Sequence, residues 1–291
     1  MSRRFLVLVN PAAGGGRALK RLPRAVAELE RLGAPHRVVE TRGLEHAAQE
    51  AAVAVEAGET VAAFGGDGLL RPLAGVLRNT AAALAILPAG RGNDFAHVLG
   101  VPMDPVAAAR LAVEGRERMV DVAEVDGVPY LGVASYGLDS DANRIANDAK
   151  LVRGNIVYLY AGLRALLAWR PAHFTVVIDG EAHELTGCSV AVANSGRYGG
   201  GMLIAPDAEL DDGRLDIVMI GAAPKLRLLR LLPGVFKGAH IRSSIVRVHR
   251  GSVVEVAADR PFEVYADGDP VGGLPATLRV EPGCLRVIVP H

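Results

Sequence analysis

Short apolar runs alternating with apolar positions at helical spacing dominate the first 120 residues. Phe5 to Val9 is a run of five apolar residues that stops at Asn10-Pro11, which predicts a buried strand. Leu22, Val26, Leu29 and Leu32 follow at helical spacing, with Pro23 near the start and Gly33 just past the end. A second helical pattern covers Leu44 to Ala57. Strand-like Thr60 to Phe64 leads into Gly65-Gly66-Asp67-Gly68 and a short helix, and Ala83 to Leu87 leads into Pro88 to Asp94 and another. Asp104-Pro105 opens a helix that Gly115 closes. These are β-α units of the kind that surround a parallel sheet. After Arg118 the pattern changes to strand-like runs broken by Asp126-Gly127, Asp179-Gly180 and Asp267-Gly268, dipeptides that favour tight hairpin turns. One helical insert, about Asn155 to Trp169, interrupts them. The expected fold is an α/β domain followed by a mainly antiparallel β domain, with the boundary near Val122.

The 291 residues, half of them hydrophobic, are enough to bury a substantial core in two domains or one large one. Acidic and basic residues balance at 32 each, so overall charge gives no reason to expect nucleic acid as a partner. Alanine is abundant and only four basic residues are lysines, which reads as codon bias. Cys188 and Cys284 are too few for a disulfide framework and are not spaced as a metal motif, which points to a reducing cytoplasm. Ser2-Arg3-Arg4 and the apolar run after it imitate a signal peptide only briefly. No stretch approaches the roughly 18 to 20 apolar residues that span a bilayer. The expectation is a soluble cytoplasmic protein, or one attached peripherally to the inner face of a membrane.

Three glycine-rich turns, at Asn10 to Gly16, Gly65 to Gly68 and Pro88 to Gly92, each follow a predicted parallel strand and precede a helix. Such junctions share the carboxyl edge of an open α/β sheet, where ligands bind. Glycine lets backbone N–H groups approach a polyphosphate, and helix N-termini add partial positive charge. Any one turn is equally an ordinary strand-to-helix connection; three on one edge point to a nucleotide cradle. Neither Gly-x-x-x-x-Gly-Lys-Ser/Thr nor a proper Gly-x-Gly-x-x-Gly is present, so the P-loop and Rossmann fingerprints are excluded.

The order of Asn10-Pro11-Ala12-Ala13-Gly14-Gly15-Gly16, Gly65-Gly66-Asp67-Gly68 and Leu87 to Ala96 (LPAGRGNDFA) resembles the diacylglycerol kinase and sphingosine kinase superfamily. Downstream, Gly137-Leu138-Asp139, Ala193 to Met202, Ala205 to Ala208, Asp212-Gly213 and Asp267-Gly268-Asp269 extend the resemblance nearly end to end. It implies an α/β domain like those of phosphofructokinases and NAD kinases, residues 1–122, and a β-sandwich that helps to bind lipid, residues 123–279, with 280–291 returning to the first. The implied active site lies in a cleft between the two. The implied reaction is transfer of the ATP γ-phosphoryl group to a lipid hydroxyl, with diacylglycerol the leading substrate. Asn10, Pro11, Gly14, Thr41, Gly65, Gly66, Asp67, Gly68, Arg91 and Asn93 would bind ATP. Asp67, Asp94 and Asp121, at two equal intervals of 27 residues, match aspartates of the Mg-ATP site. Carboxylates beside a triphosphate need a cation or hydrogen-bond donors between them. Taken singly, Asp94 also reads as a helix cap and Asp121 as a strand end. Asp269 stands where the family has its general base, which is a glutamate, and a solvated hairpin residue is its alternative. Asp212, with the carbonyls of Glu209 and Arg214, would ligate a second, structural Mg2+, and Asn194 with Gly199 to Gly201 would line the cleft.

Leu69, Leu70, Arg71 and Pro72 replace a family threonine and a nearby Asn-Glu pair, and Arg91 replaces a threonine that touches phosphate. Arg91 either binds phosphate in its place or projects into solvent. Two alternatives remain: a soluble-metabolite kinase like NAD kinase, which leaves the first and third motifs unexplained, or a catalytically weakened nucleotide- or lipid-binding paralogue. Lys225 to Lys237 reads as an amphipathic helix ended by Pro233-Gly234, either packed on the β domain or held at a membrane. The sequence contains no code for acyl chain or oligomeric state, and a homodimer stays open.

Overall fold

The structure, a computed structural model, describes residues 3–148 and 156–291, so Ser2 and Asn155 lie outside the described residues. It contains two compact units, Met1–Val122 with Pro282–His291, and Ala123–Glu281.

In the first unit β1 (Phe5–Val9), α1 (Ala13–Arg31), β2 (His36–Glu40), α2 (Leu44–Glu56), β3 (Thr60–Gly65), α3 (Asp67–Leu77) and β4 (Ala83–Pro88) form parallel β-α units. The short α4 (Asp94–Val98) and α5 (Pro105–Glu114) follow. The sheet order is β2-β1-β3-β4, all parallel. β1, β3 and β4 are buried throughout, which is why they read as continuous apolar runs. The last residues of the chain join the same sheet, with Arg286 and Val287 paired parallel to Ala83 and Leu84. Helix α1 spans more chain than its apolar spacing predicts. Its first turn contains Gly14, Gly15 and Gly16 at φ +62°, +71° and +84°, and Pro23 sits inside it. Gly33 (φ +64°) ends it, with Ala34 N–H donating to Leu29 O at 2.9 Å.

The second unit is mainly antiparallel. After β5 (Arg116–Val125), which begins in the first unit, come β6 (Val128–Tyr130), β7 (Val133–Gly137), α6 (Leu138–Asp148), α7 (Ile156–Ala168), β8 (Ala172–Ile178) and β9 (Glu181–Ala193). β10 (Arg197–Tyr198), β11 (Met202–Leu203), β12 (Leu215–Gly221), α8 (Lys225–Val235), β13 (Val246–Gly251), β14 (Val253–Ala258), β15 (Glu263–Ala266), β16 (Asp269–Gly273) and the first part of β17 (Ala276–Val289) complete it. β9 organises the unit, pairing with β8 through its first half, with β7 through its second, and with β12. The change of partner falls at Gly187, where a Cβ would lie 2.4 Å from Ile220 O.

The three Asp-Gly turns adopt positive φ at both residues: +48° and +86° at Asp126-Gly127, +48° and +90° at Asp179-Gly180, +52° and +87° at Asp267-Gly268. That backbone matches the twist of the flanking strands. The helical insert is two helices, because α6 precedes α7. The segment 138–148 (LDSDANRIAND) is mostly polar, with Leu138, Ala142, Ile145 and Ala146 at helical spacing, and Gly137 at φ +87° turns the chain into it, with Ser140 Oγ donating to Gly137 O at 2.8 Å. Helix α8 runs through Pro233-Gly234 to Val235, and the left-handed residue after it is Gly238 (φ +68°). Proline costs the last turn one amide, which is not enough to stop it. Among the described residues no helix is long and apolar enough to cross a membrane.

Candidate active site

At the carboxyl ends of β1, β3 and β4 the three glycine turns come into contact. A Cβ on Gly90 would lie 2.5 Å from Gly66 Cα and 2.8 Å from Asn93 Oδ1, and one on Gly14 would lie 2.6 Å from Ala89 O. No side chain fits at these approaches, so glycine is required there. Hydrogen bonds bind the loops to one another: Asn10 N–H to Phe64 O at 3.1 Å, and Ala89 N–H to Gly65 O at 2.7 Å. Asn10 Oδ1 accepts from Ala12 N–H at 3.0 Å and so folds the first turn. Thr41, buried at the end of β2, donates from Oγ1 to Val9 O at 3.1 Å, which places it on the same edge.

The left-handed Asn93 (φ +53°) closes the third turn by accepting from Gly90 N–H at 2.9 Å and donating to Gly90 O at 3.3 Å. Asp67 caps α4 from outside that helix, its two carboxylate oxygens accepting from Asp94 N–H and Phe95 N–H, both at 3.1 Å. This sets the Asp67 carboxylate on the backbone amide of Asp94. The buried Asp121 accepts from Gly283 N–H at 2.7 Å and anchors the returning C-terminal strand. Among the described residues no three His, Cys, Asp or Glu side chains stand as a metal-holding group, so the three aspartates are not a three-carboxylate cluster. Arg91 is exposed. Leu69 and Leu70 are buried core residues, which explains why apolar side chains stand at those positions.

In the second unit the partly exposed Asp269 follows the turn formed by Asp267 and Gly268. The Asp267 carboxylate accepts from the N–H groups of Leu131 (2.9 Å), Gly132 (2.8 Å) and Val133 (3.2 Å). A Cβ on Gly132 would lie 2.5 Å from Asp267 Oδ1, so this pin requires glycine there. The buried Asn194 donates to Leu131 O at 3.1 Å and holds the same segment from its other side. Gly199, Gly200 and Gly201 all have positive φ. Arg250 stands beside the expected second cation position, 3.3 Å from Asp212 and 3.1 Å from Asp216, donating also to Asp207 O at 3.0 Å. Glu209 and Arg214 are exposed, and Arg214 N–H donates to Asp212 at 3.0 Å.

Residues 4–125 match the diacylglycerol kinase catalytic domain, and residues 132–289 match the YegS C-terminal NAD kinase beta sandwich-like domain. A diacylglycerol kinase of Mycobacterium tuberculosis is 37% identical over 98% of this chain and 94% of its own. The chain belongs to the diacylglycerol kinase family of lipid kinases. A diacylglycerol kinase of Bacillus subtilis is 26% identical over 94% of this chain and 92% of its own. A solved diacylglycerol kinase structure from Bacillus anthracis str. Sterne shares the fold, with a TM-score of 0.77, 22% identity, and coverage of 99% of this chain and 97% of that one.

The kinase also contains an apolar cavity that the sequence does not reveal. It lies within the second unit, walled by Leu166 of α7 and by Leu228, Leu231, Leu232 and Val235 of α8, with Phe236 just beyond. The inward leucines of α8 were visible as periodicity, but the space behind them is set by strands remote in sequence. Asp267 and Arg250 were likewise missed as structural pins. An Asp-Gly dipeptide signals the turn that contains Asp267, and nothing near Arg250 signals its partners.

Proposed function

We propose that this lipid kinase transfers the γ-phosphoryl group of ATP to the free hydroxyl of diacylglycerol, giving phosphatidic acid and ADP. The observation that carries the reading is the contact of Gly66 with Gly90 and of Gly14 with Ala89 at one sheet edge, where side chains are excluded and backbone and helix N-termini suit a polyphosphate. The apolar cavity of the second unit supports a substrate with an acyl chain.

The donor set also fits a cation. The Asp67 carboxylate lies on the backbone amide of Asp94, and its two oxygens retain acceptor capacity after their helix-capping bonds. Asp67 and Asp94 would hold Mg2+, which when bound supplies charge neutralisation at the phosphates. Asp121 supports the site by fixing the C-terminal strand. A structural Mg2+ at Asp212 is not part of this reading, because the Arg250 guanidinium already supplies the positive charge there.

In the reaction the lipid oxygen forms a bond to the γ-phosphorus while the bond to the β,γ-bridging oxygen breaks, and that electron pair leaves with ADP. Asp269 accepts the hydroxyl proton. Its place beside a turn pinned by three backbone amides supports that role, since a base must be held in position. The test is transfer of label from γ-labelled ATP to mixed micelles containing diacylglycerol, monoacylglycerol, ceramide or a sphingoid base, with NAD as the soluble control. Mg-dependent labelling of diacylglycerol is expected; labelling of NAD with refusal of every lipid overturns the reading.

A further inference from the structure

A bilayer-resident substrate must be met at a surface, and the charge of this chain is distributed unevenly. Residues 217–254 contain seven Lys and Arg residues and no Asp or Glu, in a protein whose net charge is zero. Helix α8 lies inside this stretch. Leu228 and Val235 on its inner face are buried, while Leu226 is 59% exposed, Leu229 40%, and the adjoining Phe236 49%. Arg227, Arg230 and Lys237 are exposed around them. Lys225 Nζ donates to the carbonyl of Leu167, which joins the start of α8 to the end of α7, and the Leu167 side chain is itself 74% exposed.

We propose that the outer face of α8, together with Leu167, is the surface on which the protein docks to an anionic lipid bilayer. Exposed leucines ringed by Lys and Arg match an interface where acyl chains lie beneath anionic head groups. A helix packed only against its own domain has no need of Leu226 and Leu229 facing water beside the exposed Leu167, whereas a bilayer buries them. The same helix walls the apolar cavity with its inner leucines, so the docking face and the proposed acyl site are two sides of one element. This second point rests on the lipid-kinase reading; the docking itself does not.

The experiment is co-sedimentation with vesicles of phosphatidylcholine alone and of phosphatidylcholine with phosphatidylglycerol, at low and high salt. One variant combines Arg227→Gln, Arg230→Gln and Lys237→Gln; a second combines Leu226→Asn and Leu229→Asn. Wild type is expected to bind the anionic vesicles at low salt and to release them at high salt. The charge variant should bind them about 100-fold more weakly, at roughly fivefold per cation near the surface. The leucine variant should lose binding as well. Both should keep their thermal midpoints and their turnover of a short-chain, monomerically dispersed diacylglycerol. Equal sedimentation of the variants and wild type overturns the proposal, as does a wild-type dimer in light scattering that the leucine variant splits, which would make this face an interface between two copies. If no diacylglycerol is phosphorylated while vesicle binding still follows the variants, docking stands and the substrate reading falls.

Discussion

The glycine turns of the first unit and the Asp-Gly turns of the second hold backbone together by different means. At the glycine-rich edge of the first unit side chains are removed, and Gly66 and Gly90 come together so tightly that a Cβ on Gly90 would lie 2.5 Å from its neighbour. In the second unit carboxylates are added. Asp126 accepts from Thr277 N–H, Asp179 from Ser252 and Val253, and Asp267 from residues 131 to 133, so each hairpin turn also pins a remote strand. A surface of bare backbone leaves room for a ligand, whereas a carboxylate filled with amide hydrogens is finished structure. Asp67 combines the two, a carboxylate pin set among the glycines.

The sharpest test of that contrast compares two aspartates two residues apart. Asp269→Asn should lower turnover by about 10²- to 10⁴-fold with little change in ATP affinity, because a general base acts in the transition state. Asp269→Glu should remain active. Asp267→Asn should lower the thermal midpoint, at a cost of about 2 kcal/mol for a charge-assisted pin, while the protein that stays folded keeps turning over. If the two variants exchange phenotypes, the catalytic and structural assignments are reversed.

A smaller effect is expected from Gly90→Ala, whose new methyl group would meet Gly66. Overpacking of this kind costs about 1 to 3 kcal/mol, and opening the loops should weaken ATP binding about tenfold or more in calorimetry. Unchanged affinity would mean that the junction is an ordinary turn and not the cradle.

The smallest effect concerns a carboxylate pinned by side chains instead of backbone. Glu28 of α1 pairs with Arg31 at 2.8 Å and with Arg110 of α5 at 2.9 Å. The Arg31 hydrogen bond, foremost, and Arg110 hold its pKa down at about 2, against 4.5 ordinarily. The stabilisation is therefore present above about pH 4.5 and is lost as pH falls through about 2. Glu28→Gln should flatten the acid side of the stability profile in that window; an unaltered acid limb in denaturant titrations would show that the pair contributes nothing.

Features made by adjacent residues were legible in the sequence. The positive-φ Asp-Gly turns, the stop at Gly33, the strands from Phe5 to Val9 and from Thr60 to Phe64, and the three glycine loops all follow from local chemistry: backbone freedom, capping and apolar spacing. The resemblance carried by those loops led to the family. What escaped was non-local. Leu69 and Leu70 looked like losses from a motif and are core residues. Asp121 meets Gly283, Asp267 meets Leu131, and Arg250 meets Asp212. Each of those pairs is separated by dozens of residues or more, so no window of sequence contains both partners. The tertiary structure decides them because a buried backbone amide or a charge must find its partner wherever packing delivers one.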